Sequence, residues 1–176
     1  MTKGILLLGL NGCGKTTLGR LLAQKLELLA MDAEDYYFPV PGDYANSRSK
    51  EEVHRLMEND AQTHDFVLSC VQCNLPPSLL EHVQLAVVLR VSAELRASRI
   101  VQRDTAAYGK RVMPGGDLYE ERQTFRAFAA SRTEDIVTKN LPMLRCPVVE
   151  LNAAQPLEEM AEIIIKLWQS PPHAKA

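Results

Sequence analysis

Gly4-Ile-Leu-Leu-Leu8-Gly9-Leu-Asn11-Gly12-Cys13-Gly14-Lys15-Thr16-Thr17 is the stretch whose reading decides the fold. Residues 5–8 form a short apolar run that ends in glycine, as a strand buried in a parallel sheet does. From Gly9 to Thr16 the chain satisfies G-x-x-x-x-G-K-[ST] in full. Leu18, Leu21, Leu22 and Leu26 then recur at helical spacing and predict a helix over 17–26. Strand, glycine loop and helix follow in the order a phosphate cradle requires. The glycines let the backbone curl so that successive N–H groups face one anion, and the helix N-terminus adds its positive dipole end. Gly9, Asn11, Gly12, Cys13, Gly14 and Thr17 are therefore candidate nucleotide contacts. Lys15 is expected to reach the β- and γ-phosphates, and Thr16 to offer its hydroxyl to magnesium. ATP and Mg2+ are the expected cofactors. The dinucleotide pattern G-x-G-x-x-G is absent, which disfavours a nicotinamide cofactor.

Working outward, further strands are expected at 28–31, 66–71, 85–91 and 148–151. Ser49-Lys-Glu-Glu52 is a capping box for a helix to about residue 61. Ser92 caps the helix after the fourth strand. A long helical region is expected over 118–139, and Pro156 opens a last helix through Trp168. Strands that alternate with helices imply a parallel sheet covered on both faces, a three-layer α/β domain. One domain over 1–170 is expected, with a flexible tail at 171–176.

The 176 residues suffice for one domain with a real core. A net charge of -2 gives no bulk attraction for nucleic acid. The first apolar run is too short for a signal peptide, and none approaches a membrane span. A cytoplasmic location with no membrane partner is the default, as a monomer or homodimer. Cys13, Cys70, Cys73 and Cys146 are then reduced thiols. Cys70 and Cys73 form one C-x-x-C with no further ligand pair nearby, so a core cysteine is favoured over zinc. Cys13 lies between Gly12 and Gly14. It is either a tolerated small side chain or a thiol that the positive cradle activates toward oxidation and alkylation.

Among P-loop classes, a guanine-reading Asn-Lys-x-Asp is absent, and neither middle strand ends in the Asp-Glu of mechanical ATPases. The chain resembles the nucleoside and nucleotide kinase group, which includes adenylate, shikimate and gluconate kinases. The likeness looks closest to a bacterial subgroup of adenylate-kinase-like ATPases. It runs from Gly4 to about Leu167 and rests on the P-loop, Asp32-Ala-Glu-Asp-Tyr-Tyr-Phe38, Asp65-Phe-Val-Leu-Ser-Cys-Val71 and Arg111-Val-Met-Pro-Gly-Gly-Asp-Leu-Tyr119. The resemblance implies a five-stranded sheet of order 2-3-1-4-5, an acceptor region after the second strand, and a short lid over about 108–117. Asp32 lies where ligands of open α/β sheets bind. It is a candidate for holding the metal through water or for positioning the acceptor, against a plain helix cap. Asp32-Ala-Glu34 resembles the Asp-x-Asp of shikimate kinase. Glu34, Asp35, Tyr37 and Gln72 are candidate acceptor contacts, and Tyr36, Tyr37 and Phe38 could stack on a base or pin the loop.

Arg99 and Arg103 resemble the arginine pair that precedes the lid in nucleotide kinases, Arg111 lies in the lid, and Arg132 matches a phosphate-facing arginine after it. Guanidinium forks suit the spread charge of phosphate. A solvated basic face is the alternative for each. His54, His64, His82 and His173 do not cluster and read as surface residues. The third strand ends in Val71-Gln-Cys-Asn74, where the resembling proteins carry an Asp or a glycine pair. Phosphoryl transfer from ATP to a small acceptor is the leading expectation, a nucleoside or nucleotide ahead of a sugar acid. An ATP-binding regulatory protein with slow hydrolysis is its rival.

Overall fold

Five fully buried residues of Gly4–Leu8 form β1, the middle of a parallel sheet of order β2-β3-β1-β4-β5. The computed structural model describes residues 1–40 and 46–170. The other strands are β2 (Leu29–Asp32), β3 (Phe66–Cys70), β4 (Val83–Arg90) and β5 (Val148–Asn152). All four pairings are parallel. Alternation along β1 feeds two cores. Leu6 and Leu8 pack with Met31, Val53, Met57 and Phe66 on one face. Ile5 and Leu7 pack with Leu18, Leu22 and Ile164 on the other. The expected strand order and both covered faces are therefore present.

Helix α1 (Lys15–Leu26) leaves the glycine loop, with Gly14 at its N-cap at φ 96°. It rides close on β3, because a side chain at Gly19 would meet Ser69 Oγ at 2.7 Å. Ser69 Oγ donates to the Lys15 carbonyl at 3.2 Å, which fixes the start of the helix against the strand. Asp32 ends β2 and caps the short α2 (Ala33–Tyr37) by accepting from Glu34 N at 3.0 Å. Helix α3 (Lys50–Thr63) opens on the Ser49 cap as expected. Then come α4 (Pro77–Leu80), α5 (Ala93–Tyr108), α6 (Tyr119–Ser131), α7 (Asp135–Thr138) and α8 (Leu157–Gln169).

The expected long helix over 118–139 is interrupted. Arg132 is extended at φ −78°, ψ 132°, between α6 and α7. Tertiary contacts outweigh the local helical preference there, since the break carries Arg132 to the glycine loop. Between α5 and α6, residues Gly109–Val112 form a 3₁₀ turn. The tail at 171–176, with His173, lies outside the described residues.

Candidate functional site

The glycine loop sits at the carboxyl edge of the sheet, seated on α5. At Gly12, φ is +84° and a side chain would strike the Arg96 carbonyl at 2.6 Å, so only glycine fits. Arg96, 7 % exposed, donates from Nη1 to the Asn11 and Ala129 carbonyls at 3.4 Å each. Arg99 Nη1 donates to the Cys13 carbonyl at 3.3 Å, and its Nη2 to the Ala153 carbonyl after β5 at 2.8 Å. The two guanidinium groups thus hold loop carbonyls. Arg99, expected to face phosphate, is placed as a strut between the loop and the β5–α8 connection. Lys15 Nζ donates to the Leu10 carbonyl at 3.2 Å.

Thr16 and Asp32, the two candidate metal-site residues, meet. Thr16 Oγ1 donates to Asp32 Oδ2 at 2.5 Å. With its other oxygen on Glu34 N, Asp32 is both a cap and a partner of the loop threonine. A hydroxyl and a carboxylate at that distance, beside a lysine, are the hard oxygen donors that suit Mg2+. No cluster of three or more His, Cys, Asp or Glu groups able to hold a metal occurs among the described residues. Magnesium there would depend on phosphate oxygens and water for the rest of its shell.

A cavity of about 900 Å³ extends from this point. Its loop end is lined by Asn11, Lys15, Thr16 and Asp32, and its far walls come from α2, α3, the end of β3, and α6. Glu34, Tyr37 and Gln72, the candidate acceptor contacts, line it. Glu34 opens into the cavity, yet surrounding protein and the Asp32 carboxylate raise its pKa, while Arg103 and Lys15 pull the other way. The aromatic trio divides. Tyr37 and Phe38 line the cavity, whereas Tyr36 donates its hydroxyl to Asp60 and ties α2 to α3. Burial pushes the Tyr36 phenol upward.

Of the other expected residues, Arg132 lines the cavity, whereas Asp35, Thr17, Arg103 and Arg111 are not in its lining. Asp35 is exposed and 4.0 Å from Arg20, the solvated alternative. Thr17 is exposed on the first turn of α1. Arg103, 59 % exposed, leans on Asp104 and lies 5.7 Å over the Phe125 ring, outside the cavity lining. Arg111, 58 % exposed, is bound bidentately by Asp117, Nε to Oδ1 at 3.0 Å and Nη2 to Oδ2 at 2.7 Å. Arg132 reaches the loop, donating to Asn11 Oδ1 at 3.2 Å, with Phe128 beneath it at 5.2 Å.

Cys13 shows why position in a motif does not give orientation. Its thiol is 1 % exposed and packs in the core beside Gly9, with Leu18 and Leu89. Lys15 Nζ donates to its sulfur at 3.9 Å, but burial corrects a thiol open to reagents to a small buried side chain. Cys73 is wholly buried, and desolvation pushes its pKa up to about 11. The C-x-x-C is core.

The α3 and α6 walls escaped the sequence reading. His54, expected on the surface, lines the cavity, and its Nε2 is buried without a hydrogen-bond partner. From α6 come Glu121, Arg122, Thr124, Phe125 and Phe128. Arg122, Phe125 and Phe128 recur at helical spacing along α6, a basic–aromatic face present in the sequence.

Residues 5–126 match the AAA domain family. The chain belongs to this family. A curated relative of the AAA domain chain is an uncharacterised protein, YqaC, of Bacillus subtilis (strain 168). It is 26 % identical, over 97 % of this chain and 99 % of its own. Among solved structures, a sugar kinase from Janibacter sp. HTCC2649 superposes with TM-score 0.57 at 18 % identity, over 100 % of this chain and 99 % of that one. Shikimate kinase from Acinetobacter baumannii, in complex with shikimate, superposes with TM-score 0.54 at 18 % identity, over 97 % and 94 %. This AAA domain thus has the fold of the small P-loop kinases.

Proposed function

We propose that the protein is a small-molecule kinase that moves the γ-phosphoryl group of ATP to a hydroxyl of a small acceptor. The observation that carries this reading is the Thr16–Asp32 contact at the mouth of a cavity that Glu34 also lines. The solved structures of sugar and shikimate kinases that share the fold support it. A new bond forms between the acceptor oxygen and the γ-phosphorus, the bond from that phosphorus to the β–γ bridging oxygen breaks, and ADP leaves. Catalysis of such a transfer is mostly positioning and charge stabilisation.

Each residue has a task that its place allows. The loop amides and Lys15 hold the β- and γ-phosphates. Thr16 and Asp32 would hold Mg2+, directly and through water; it would neutralise phosphate charge. Asp32 is given to the metal site and the α2 cap, so the acceptor's proton goes to Glu34, whose raised pKa makes it a better proton acceptor than an ordinary carboxylate. Arg132 faces the transferring group from beside Asn11. Arg103 and Arg111 join when residues 108–117 close as a lid, and Arg111 must then leave Asp117. A nucleoside or nucleotide stands ahead of a sugar acid as acceptor, because aromatic rings line the cavity.

ADP release measured with a panel of nucleosides, nucleotides, sugars and hydroxy acids tests the reading. A rise in ADP with one acceptor class, and a matching phosphorylated product, is the expected result. Equal slow ADP release with every compound would favour the regulatory ATPase, a reading suggested by a third strand that ends without a carboxylate.

A further inference from the structure

Helix α6 walls the cavity with little apolar packing beneath it. Thr124, Phe125 and Phe128 line the cavity, and of the helix only Arg122 and Ala129 are buried. Polar ties hold it. Arg126 Nε donates to Oδ2 of the buried Asp104 on α5 at 3.3 Å. Two further ties run to one residue of the phosphate loop. Arg96 Nη1 is shared between the Ala129 carbonyl on α6 and the Asn11 carbonyl in the loop, 3.4 Å from each. Arg132, the first residue after α6, donates from Nη1 to Asn11 Oδ1 at 3.2 Å. Both carbonyl oxygens of Asn11, main-chain and side-chain, are thus held by guanidinium groups that are tied to α6.

The Arg96 bonds are long for a guanidinium donor, and its buried Nε has no hydrogen-bond partner among the described residues. Its acceptors are two neutral carbonyls, not a carboxylate. A buried cation on two stretched bonds gains from any shift that brings loop and helix together. The loop already rests on this residue, because Gly12 packs against the Arg96 carbonyl. Phosphate on the loop amides would fix the backbone of Asn11 and Gly12 and present negative charge to Arg132.

We propose, resting on nucleotide binding at the loop and not on the identity of the acceptor, that Arg96 and Asn11 are positioning residues. They seat α6 on the loaded phosphate loop, so that nucleotide binding sets the acceptor wall. Each acts through the helix, Arg96 by bonding Ala129 and Asn11 by holding Arg132. The differential contact that drives the seating is Arg132 with phosphate, made when α6 is seated. Phe125 and Phe128 then reach their working places only after the nucleotide is bound.

Hydrogen–deuterium exchange on the full chain, with and without Mg2+ and a non-hydrolysable ATP analogue, tests this. Peptides from the loop and from Tyr119–Ser131 are read separately, at analogue concentrations that saturate each protein by calorimetry. In the wild type both sets should slow, α6 by about threefold or more, the fold-change that one net hydrogen bond gives. Arg96→Met keeps an apolar stem and removes the shared donor. Its loop should still slow while the α6 response disappears, and Arg96→Lys should restore part of that response. A residue that only stabilised the fold would, when replaced, raise α6 exchange equally with and without the analogue and leave the response intact. If Arg96→Met fails to fold, Asn11→Ala, at a half-exposed position, gives the same reading. A wild-type loop that slows with no change at α6, or a folded variant that keeps the α6 response, overturns the proposal. No analogue binding by the wild type overturns it together with the kinase reading. An α6 response without acceptor-dependent ADP release sinks the kinase reading and leaves this one standing.

Discussion

Thr16 and Asp32, sixteen residues apart, share one hydrogen bond of 2.5 Å from hydroxyl to carboxylate. That contact joins the start of α1 to the end of β2 and defines the point where metal and phosphate would meet. Asp32→Asn keeps the size of the side chain and the cap to Glu34 N while removing the charge. Turnover should fall about a hundredfold or more, as for lost positioning and charge stabilisation. ATP binding in EDTA should barely change. Wild-type turnover in the variant would return Asp32 to a cap alone.

Lys15→Ala removes a charge-assisted contact worth about 1.5–3 kcal/mol. ATP affinity by calorimetry should then drop about ten- to a hundredfold. Retention of the wild-type Kd would contradict a nucleotide site at this loop.

Glu34 gives a pH signature. Its pKa is raised from 4.5 by the loss of solvent and by Asp32. As a proton acceptor it must be ionised, so the acid limb of kcat should lie above the ordinary glutamate range, and activity should fall as pH drops through the raised pKa. Linkage has the opposite sign for stability. A carboxyl raised in the folded state helps below its unfolded pKa, and that contribution is lost as pH rises through the folded pKa. Glu34→Gln should therefore abolish the acid limb and most of kcat, and the melting temperature at pH 7 should not fall. An acid limb that persists in Glu34→Gln would assign it to another group.

Arg111 and Asp117 form a bidentate pair on the surface. If residues 108–117 close over phosphate, trypsin cleavage after Lys110 or Arg111 should slow when the ATP analogue binds. Arg111→Ala should lower kcat more than it raises the KM for ATP. Identical cleavage rates with and without ligand would leave the segment a static turn.

The thiols should react in order of access. Cys13, Cys70 and Cys73 are buried and Cys146 is half-buried. Iodoacetamide on the native protein, read by peptide mass, should modify Cys146 first. Early labelling of Cys13, with protection by ATP, would mean that the loop opens and exposes the thiol.

What the chain wrote locally was legible. The Gly9–Thr16 motif, the apolar runs of the sheet and the Ser49 and Ser92 caps each depend on residues within a few positions of one another. Strand, glycine loop and helix therefore predicted the fold, and the resemblance supplied the strand order. Asp32 was nominated by its place at the carboxyl end of a parallel strand, and Glu34 and Tyr37 by the resemblance; the structure sets all three along one cavity.

Tertiary structure alone decided which side chains face the site. Arg96, Arg99, Arg103, Arg111, Arg122 and Arg132 are one residue type in one stretch of chain. Packing sent two of them to loop carbonyls, one to Asp117, and one across 121 residues to Asn11. The same holds for His54 and Phe125, which α3 and α6 bring to one cavity. A sequence pattern specifies which face of a helix is apolar, but the destination of a polar side chain depends on partners distant in the chain. Those partners exist only once the sheet has gathered its helices, since a buried guanidinium must take whatever acceptors the fold brings within reach.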